Sequence, residues 1–140
     1  MKNVVNNTRI RGRWEKINNC PQVICDVGHN LEGFAYTFKQ LLNTKHQNLH
    51  MVFGTNNDKN LDELFPILPK SATYYFCRAD VPRALEYEIL LETANKYKIN
   101  GKGYGSVAEA YQAALKSADD EDLIFVGGST FVVGEVLASI

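Results

Sequence analysis

Apolar and polar positions along this chain fall into two rhythms that replace one another in turn. Apolar runs of strand length lie at residues 22–27, 49–53, 73–77 and 122–126, each bounded by polar, Gly- or Asn-containing turns. Between them apolar residues recur at helical spacing. Leu31, Phe34, Ala35, Phe38, Leu41 and Leu42 form one stripe, Tyr87, Leu90, Leu91, Ala94 and Tyr97 a second, and Val107, Ala110, Tyr111, Ala114 and Leu115 a third. Start signals agree with these stripes. Asn30 stands where the first helix needs an N-cap, while Asn60 with Glu63 and Ser106 with Glu109 carry capping-box spacing. Pro66 and Pro69 cut the helix that begins at Leu61 to about one turn. Residues 13–17 predict an edge strand followed by a turn at Asn18 and Asn19, residues 101–105 a short extended segment, and residues 131–138 a final helix.

Strand and helix alternate throughout, with short turns between them. That order predicts an α/β, Rossmann-like domain: a mainly parallel sheet with helices on both faces. Residues 1–12 show no period and end at Gly12, which predicts a linker or loop leading into a single domain over residues 13–140.

Composition narrows the class. At 140 residues and 45% hydrophobic content the chain can bury a core without staples. Its formal charge of -1 gives no overall drive toward nucleic acid or an anionic membrane, so any anion site must be local. Cys20, Cys25 and Cys77 are an odd number without metal-ligand or paired spacing, which predicts reduced thiols in a cytoplasmic protein. No apolar run approaches the roughly 18 residues of a membrane helix.

Candidate chemistry gathers where the strands end. In an open α/β sheet ligands bind beyond the carboxyl ends of the strands, and each following helix offers unpaired N–H groups to anions. Asp26 and His29 flank the first strand-to-helix turn. A carboxylate there can accept from ribose hydroxyls or a base amine, and an imidazole can donate to a phosphate or carboxylate oxygen. Helix capping by Asp26 and Asn30 accounts for the same residues equally well. Arg13 offers the paired N–H fork that suits phosphate oxygens. Asp58-Lys59 and Gly127-Gly128-Ser129 lie at the ends of other strands. The glycine turn is not a P-loop, because no Lys-Ser or Lys-Thr follows it.

Taken in order, Gly12-Arg13-Trp14, Asp26-Val27-Gly28-His29-Asn30, Phe53-Gly54 with Asp58-Lys59, and the run Gly127 to Val136 resemble the C-terminal domain of folylpolyglutamate synthase/dihydrofolate synthase, in the Mur ligase superfamily. The folate branch usually carries Asp-Gly-Ala-His-Asn; Val27 and Gly28 depart from it, while Asp26, His29 and Asn30 keep it. The resemblance implies an acid–amino-acid ligase that uses ATP to phosphorylate a carboxylate, after which the amine of L-glutamate attacks the acyl phosphate. It implies that Arg13 contacts the phosphates and Asp26 the nucleoside. His29, as the catalytic candidate, would lie near the γ-phosphate and incoming glutamate, and Ser129 would bind glutamate. No metal ligand is assigned here, because Mg2+ would be held mainly by an N-terminal P-loop ATPase domain that this sequence lacks. The implied partners are ATP, L-glutamate, folate or dihydropteroate and that N-terminal domain, with no nucleic acid and no membrane. The chain is therefore expected to be a domain excised from a larger ligase and inactive alone. Two alternatives stay open: the C-terminal domain of a peptidoglycan Mur ligase, and a non-catalytic α/β binding module such as a receiver.

Overall fold

The last strand in the sequence is the central one in space. In the computed structural model, which describes residues 13–28 and 30–139, six strands form one sheet. They are β1 (Glu15–Asn19), β2 (Gln22–Asp26), β3 (Leu49–Phe53), β4 (Thr73–Phe76), β5 (Gly101–Gly103) and β6 (Leu123–Gly127), in the spatial order β1-β2-β6-β3-β4-β5. β1 is antiparallel to β2, and every other pairing is parallel. The expected linker at residues 1–12, and His29, lie outside the described residues.

Helices α1 (Leu31–Asn43), α2 (Leu61–Leu64), α3 (Tyr87–Lys96), α4 (Val107–Ser117) and α5 (Thr130–Ala138) cover the sheet, and a 3-10 turn at Phe65–Ile67 follows α2. Side chains alternate across each strand, so the two faces collect separate cores. On one face Ile24, Met51, Phe53, Tyr74, Phe76 and Phe125 meet Phe34, Phe38 and Leu41 of α1, with Leu64, Phe65, Leu90 and Ala94. On the other, Val23, Cys25, Val52, Tyr75, Ile124 and Val126 meet the Ala110, Tyr111 and Ala114 stripe of α4 and Val132, Val133 and Val136 of α5. Each large side chain buried this way contributes roughly 1.5–3 kcal/mol before chain entropy is set against it. The mainly parallel sheet with helices on both faces is thus the observed fold.

The predicted caps form. Asn30 Oδ1 accepts from Gly33 N–H at 2.7 Å, Asn60 Oδ1 from Asp62 and Glu63, and Ser106 Oγ from Glu109 N–H at 3.1 Å. One local expectation changes. Asn18 and Asn19 belong to β1, paired with Val23 and Gln22, and the reversal falls instead at Cys20-Pro21, whose peptide is cis. Side-chain propensity pointed to the asparagines, but pairing with β2 extends the strand through them and leaves the turn to proline. β1 is also irregular, its register slipping between Lys16 and Asn18. None of the three cysteines forms a disulfide; Cys25 and Cys77 are buried, and burial pushes the Cys77 thiol up to about 12. No described helix is long and apolar enough to cross a membrane.

A buried polar network ties the amino-terminal pole of the sheet. Asp122, 3% exposed, accepts through Oδ1 from Asn48 N–H (3.1 Å) and through Oδ2 from Asp119 N–H (3.0 Å) and His50 Nε2 (2.9 Å). With Nε2 donating, His50 Nδ1 accepts from the Tyr75 hydroxyl at 2.9 Å. Burial alone would raise the Asp122 carboxyl, but the bonds from Asp119, His50 and Asn48 outweigh it and hold the group below its ordinary 3.8. A depressed folded-state value means that stability from Asp122 is present above the unfolded value and lost as pH falls through the folded one. Asp122→Asn is therefore expected to lower the unfolding free energy by about 1–3 kcal/mol at neutral pH. The difference should shrink as pH drops below the ordinary carboxylate range, as followed by urea midpoints against pH.

Candidate functional site

The parallel register brings the candidate residues to one rim. Asp26 pairs with Gly127, and Phe53 pairs with Gly127 from the other side, so the segments that follow β2, β3 and β6 leave the sheet together. β2 feeds α1 on one face while β6, beside it, feeds α5 on the other. Neighbouring strands whose helices depart to opposite faces leave a crevice between their carboxyl ends, where α/β sheets place ligands.

Backbone contacts close the rim around its glycines. Gly54 N–H donates to Gly127 O at 3.3 Å, and Gly128 adopts φ +101. A Cβ on Gly128 would run into the carbonyl oxygen of Gly54, and one on Gly54 into that of Cys77. Only glycine fits both the left-handed angle and the close approach. Ser129 follows directly. It is 3% exposed, and its Oγ accepts from Phe131 N–H (2.9 Å) and Val132 N–H (3.4 Å), so it is the N-cap of α5. Both lone pairs serve the helix, and the hydroxyl proton is what it retains for a ligand.

Asp26 is engaged on both oxygens. Oδ1 accepts from Gly28 N–H at 2.7 Å, and Oδ2 from Trp14 N–H at 3.0 Å, twelve residues earlier in the chain. Each oxygen keeps a second lone pair for a ligand donor. Arg13 and Asp26 line one cavity of about 380 Å³, together with Trp14, Gly28, Asn30, Gly33, Tyr36, Thr37 and Gln40. Arg13 is exposed there. On the other side of the α1 N-terminus, Asn30 shares a second cavity of about 300 Å³ with Asp58, Lys59, Asn60 and Glu63. Asp58 faces Arg83 at 3.8 Å, an exposed pair that adds little stability.

Of the residues marked by sequence, the structure thus joins Arg13 with Asp26, and Asn30 with Asp58-Lys59. Ser129 lies on the same rim but lines neither of these cavities. His29 lies outside the described residues. The wall contributed by α1 was not marked, although Gly33, Tyr36, Thr37 and Gln40 follow i, i+3, i+4, i+7 spacing. That second stripe beside the apolar one was its available signal.

Comparison with known proteins decides the family. The family described as Mur ligase, glutamate ligase domain, matches residues 12–130. The chain belongs to this family. Among curated relatives of the Mur ligase glutamate ligase domain, a probable bifunctional folylpolyglutamate synthase/dihydropteroate synthase of Haloferax volcanii is 34% identical over 127 residues, 89% of this chain and 15% of the relative. The dihydrofolate synthase/folylpolyglutamate synthase of Escherichia coli K12 is 32% identical over 128 residues, 90% of this chain and 29% of the relative. Among solved structures, E. coli FolC in complex with DHPP and ADP superposes with a TM-score of 0.83 at 31% identity, covering 91% of this chain and 30% of that one. A bifunctional folylpolyglutamate synthase/dihydrofolate synthase with Mn, AMPPNP and L-glutamate bound gives 0.83 at 25% identity, over 92% and 31%. The glutamate ligase domain described here spans between 15 and 33% of the length of the curated relatives it matches.

The glycine rim of the Mur ligase domain supplies a direct test. Gly128→Ala is expected to destabilise by about 2–3 kcal/mol, through φ strain and the clash with Gly54. Gly134→Ala, on an exposed turn of α5 where nothing lies within 4 Å of a Cβ, should stabilise by about 0.5–1 kcal/mol. Chemical denaturation of the two variants reads the difference.

Proposed function

We propose that this domain serves an ATP-dependent ligase that adds L-glutamate to dihydropteroate or folate through an acyl phosphate, closing over ATP and glutamate. The observation that carries the reading is the meeting of Arg13 and Asp26 on one cavity at the strand-end rim, in a chain whose family and relatives are glutamate ligases. Arg13 offers phosphate oxygens a planar fork from an exposed position. Asp26 keeps one lone pair on each oxygen for the hydroxyls of a nucleoside. His29, next to the helix start, is assigned to the γ-phosphate and incoming glutamate. Ser129 is assigned to glutamate, to which its remaining hydroxyl proton would be donated.

The residues present suit a nucleotide better than a metal. Among the described residues no group of three or more His, Cys, Asp or Glu side chains is placed to hold a metal ion. Mg2+ is accordingly assigned mainly to an N-terminal P-loop ATPase domain, which would also hold the ATP that Arg13 and His29 approach on closure. Bound alone, half of that clamp does no ligation, so the 140-residue chain is expected to be inactive. A cytoplasmic setting belongs to the same reading and is consistent with three cysteines that form no disulfide, of which Cys20 is exposed. The folate-type relatives favour a pteridine acceptor over a muramyl one, and the family match favours a ligase domain over a non-catalytic module.

The test uses the complete gene product. Phosphate release from ATP is followed with glutamate and dihydropteroate, tetrahydrofolate or a uridine-linked muramyl acceptor. Glutamate-dependent release with a pteridine is expected; release with only the muramyl acceptor would move the substrate to cell-wall synthesis. Arg13→Lys and His29→Ala should each lower kcat/KM at least about tenfold, as expected when a charge-assisted contact is lost.

A further inference from the structure

Among the described residues only two non-glycine positions, Trp14 at φ 47 and Lys98 at φ 59, occupy left-handed backbone. Lys98 has an ordinary reason. It follows α3, where Lys98 N–H bonds Asn95 O and Ile99 N–H bonds Ala94 O, the usual way a helix ends. Trp14 follows no helix, and a bulky residue does not enter this region unless its surroundings hold it there. Two contacts do so. Its N–H donates to Asp26 Oδ2 at 3.0 Å, and its partly buried side chain packs on the core beneath α1.

The consequence lies in what flanks it. On one side of Trp14, Glu15 enters β1 opposite Cys25; on the other, Arg13 is exposed and lines the cavity it shares with Asp26. The same carboxylate holds the Gly28 turn with its other oxygen. Asp26 therefore fastens both sides of the cavity mouth to the end of β2. We propose that Trp14 is a positioning residue whose left-handed backbone, locked by Asp26, presents Arg13 to the bound phosphates, so that much of the importance of Asp26 is exerted through Arg13. This rests on the assignment of Arg13 to phosphate made above. The left-handed angle disfavours an L-residue by roughly 5- to 30-fold and glycine hardly at all, which makes the clamp separable from direct contact.

The experiment measures KM for ATP, kcat and thermal midpoint in the complete gene product. Asp26→Asn is introduced into Trp14→Ala and Trp14→Gly backgrounds, which lose the same indole packing and differ in backbone freedom. Asparagine keeps one acceptor for the two N–H groups and turns an amide donor on the other. The expected result is a rise in KM for ATP of about tenfold in the alanine background and under about threefold in the glycine background. Equal rises in both would overturn the clamp. In an Arg13→Ala background Asp26→Asn is expected to raise KM for ATP by less than about threefold, the share owed to direct nucleoside contact; a further rise of about tenfold there would mean that direct contact accounts for the whole effect and also overturn it. That last pair decides the matter alone if the Trp14 variants do not fold. Should Arg13→Ala by itself leave KM for ATP unchanged, the phosphate assignment fails and the proposal with it. An effect of Arg13→Ala without a glycine–alanine difference sinks the proposal and spares the assignment.

Discussion

Insertion of β6 between β2 and β3 is the constraint on which the rest of this domain depends. Its five residues are buried, and its backbone pairs on both sides, register by register, from Leu123 to Gly127. No side chain on it can be polar without penalty, because helices cover both faces. Its position also creates the crevice. Had the strands followed one another in sequence order, β2 and β3 would be neighbours and their helices would leave on one face, with no crevice beside Asp26. The late return of the chain to the middle of the sheet places Gly127-Gly128-Ser129 between the turns after β2 and β3.

Much of this was legible in the chain because each signal had one physical meaning. Asn30, Asn60 and Ser106 are caps in the structure for the reason they are caps in the pattern: a short side-chain oxygen meets an otherwise unpaired N–H. The strands were readable as apolar runs because both faces are covered. What could not be read was pairing order, since a run such as Leu123 to Val126 carries no label of its neighbours. The Asp26 to Trp14 bond spans twelve residues and two chain directions, and neither residue advertises it. Ser129 was marked as a substrate contact, while the structure shows it first as the cap of α5, and a cap and a ligand donor use the same atom type. Asn18 and Asn19 illustrate the converse, a turn propensity overridden by strand pairing.

The two poles of the sheet divide the labour. At the amino-terminal pole the carboxylate of Asp122 is saturated by two backbone donors, the Asn48 side-chain amide and the His50 imidazole, and has nothing left to offer a ligand. At the carboxyl-terminal rim the polar groups are only half committed: Asp26 has spare lone pairs and Arg13 is exposed. Saturated networks rigidify, whereas partly satisfied ones bind. A parallel sheet suits this division, because every β-strand but β1 points its carboxyl end the same way.

The irregular β1 and the three-residue β5 have a consequence for association. A sheet edge is a template for another strand, and this sheet ends on one side in a strand whose register slips between Lys16 and Asn18 and on the other in Gly101–Gly103. Exposed Lys16 and Lys102 put charge on each margin. Neither border offers a long, flat, apolar row of unpaired amides, so growth of the sheet into a second molecule is discouraged at both ends. Association is thereby left to the strand-end rim and the helical faces.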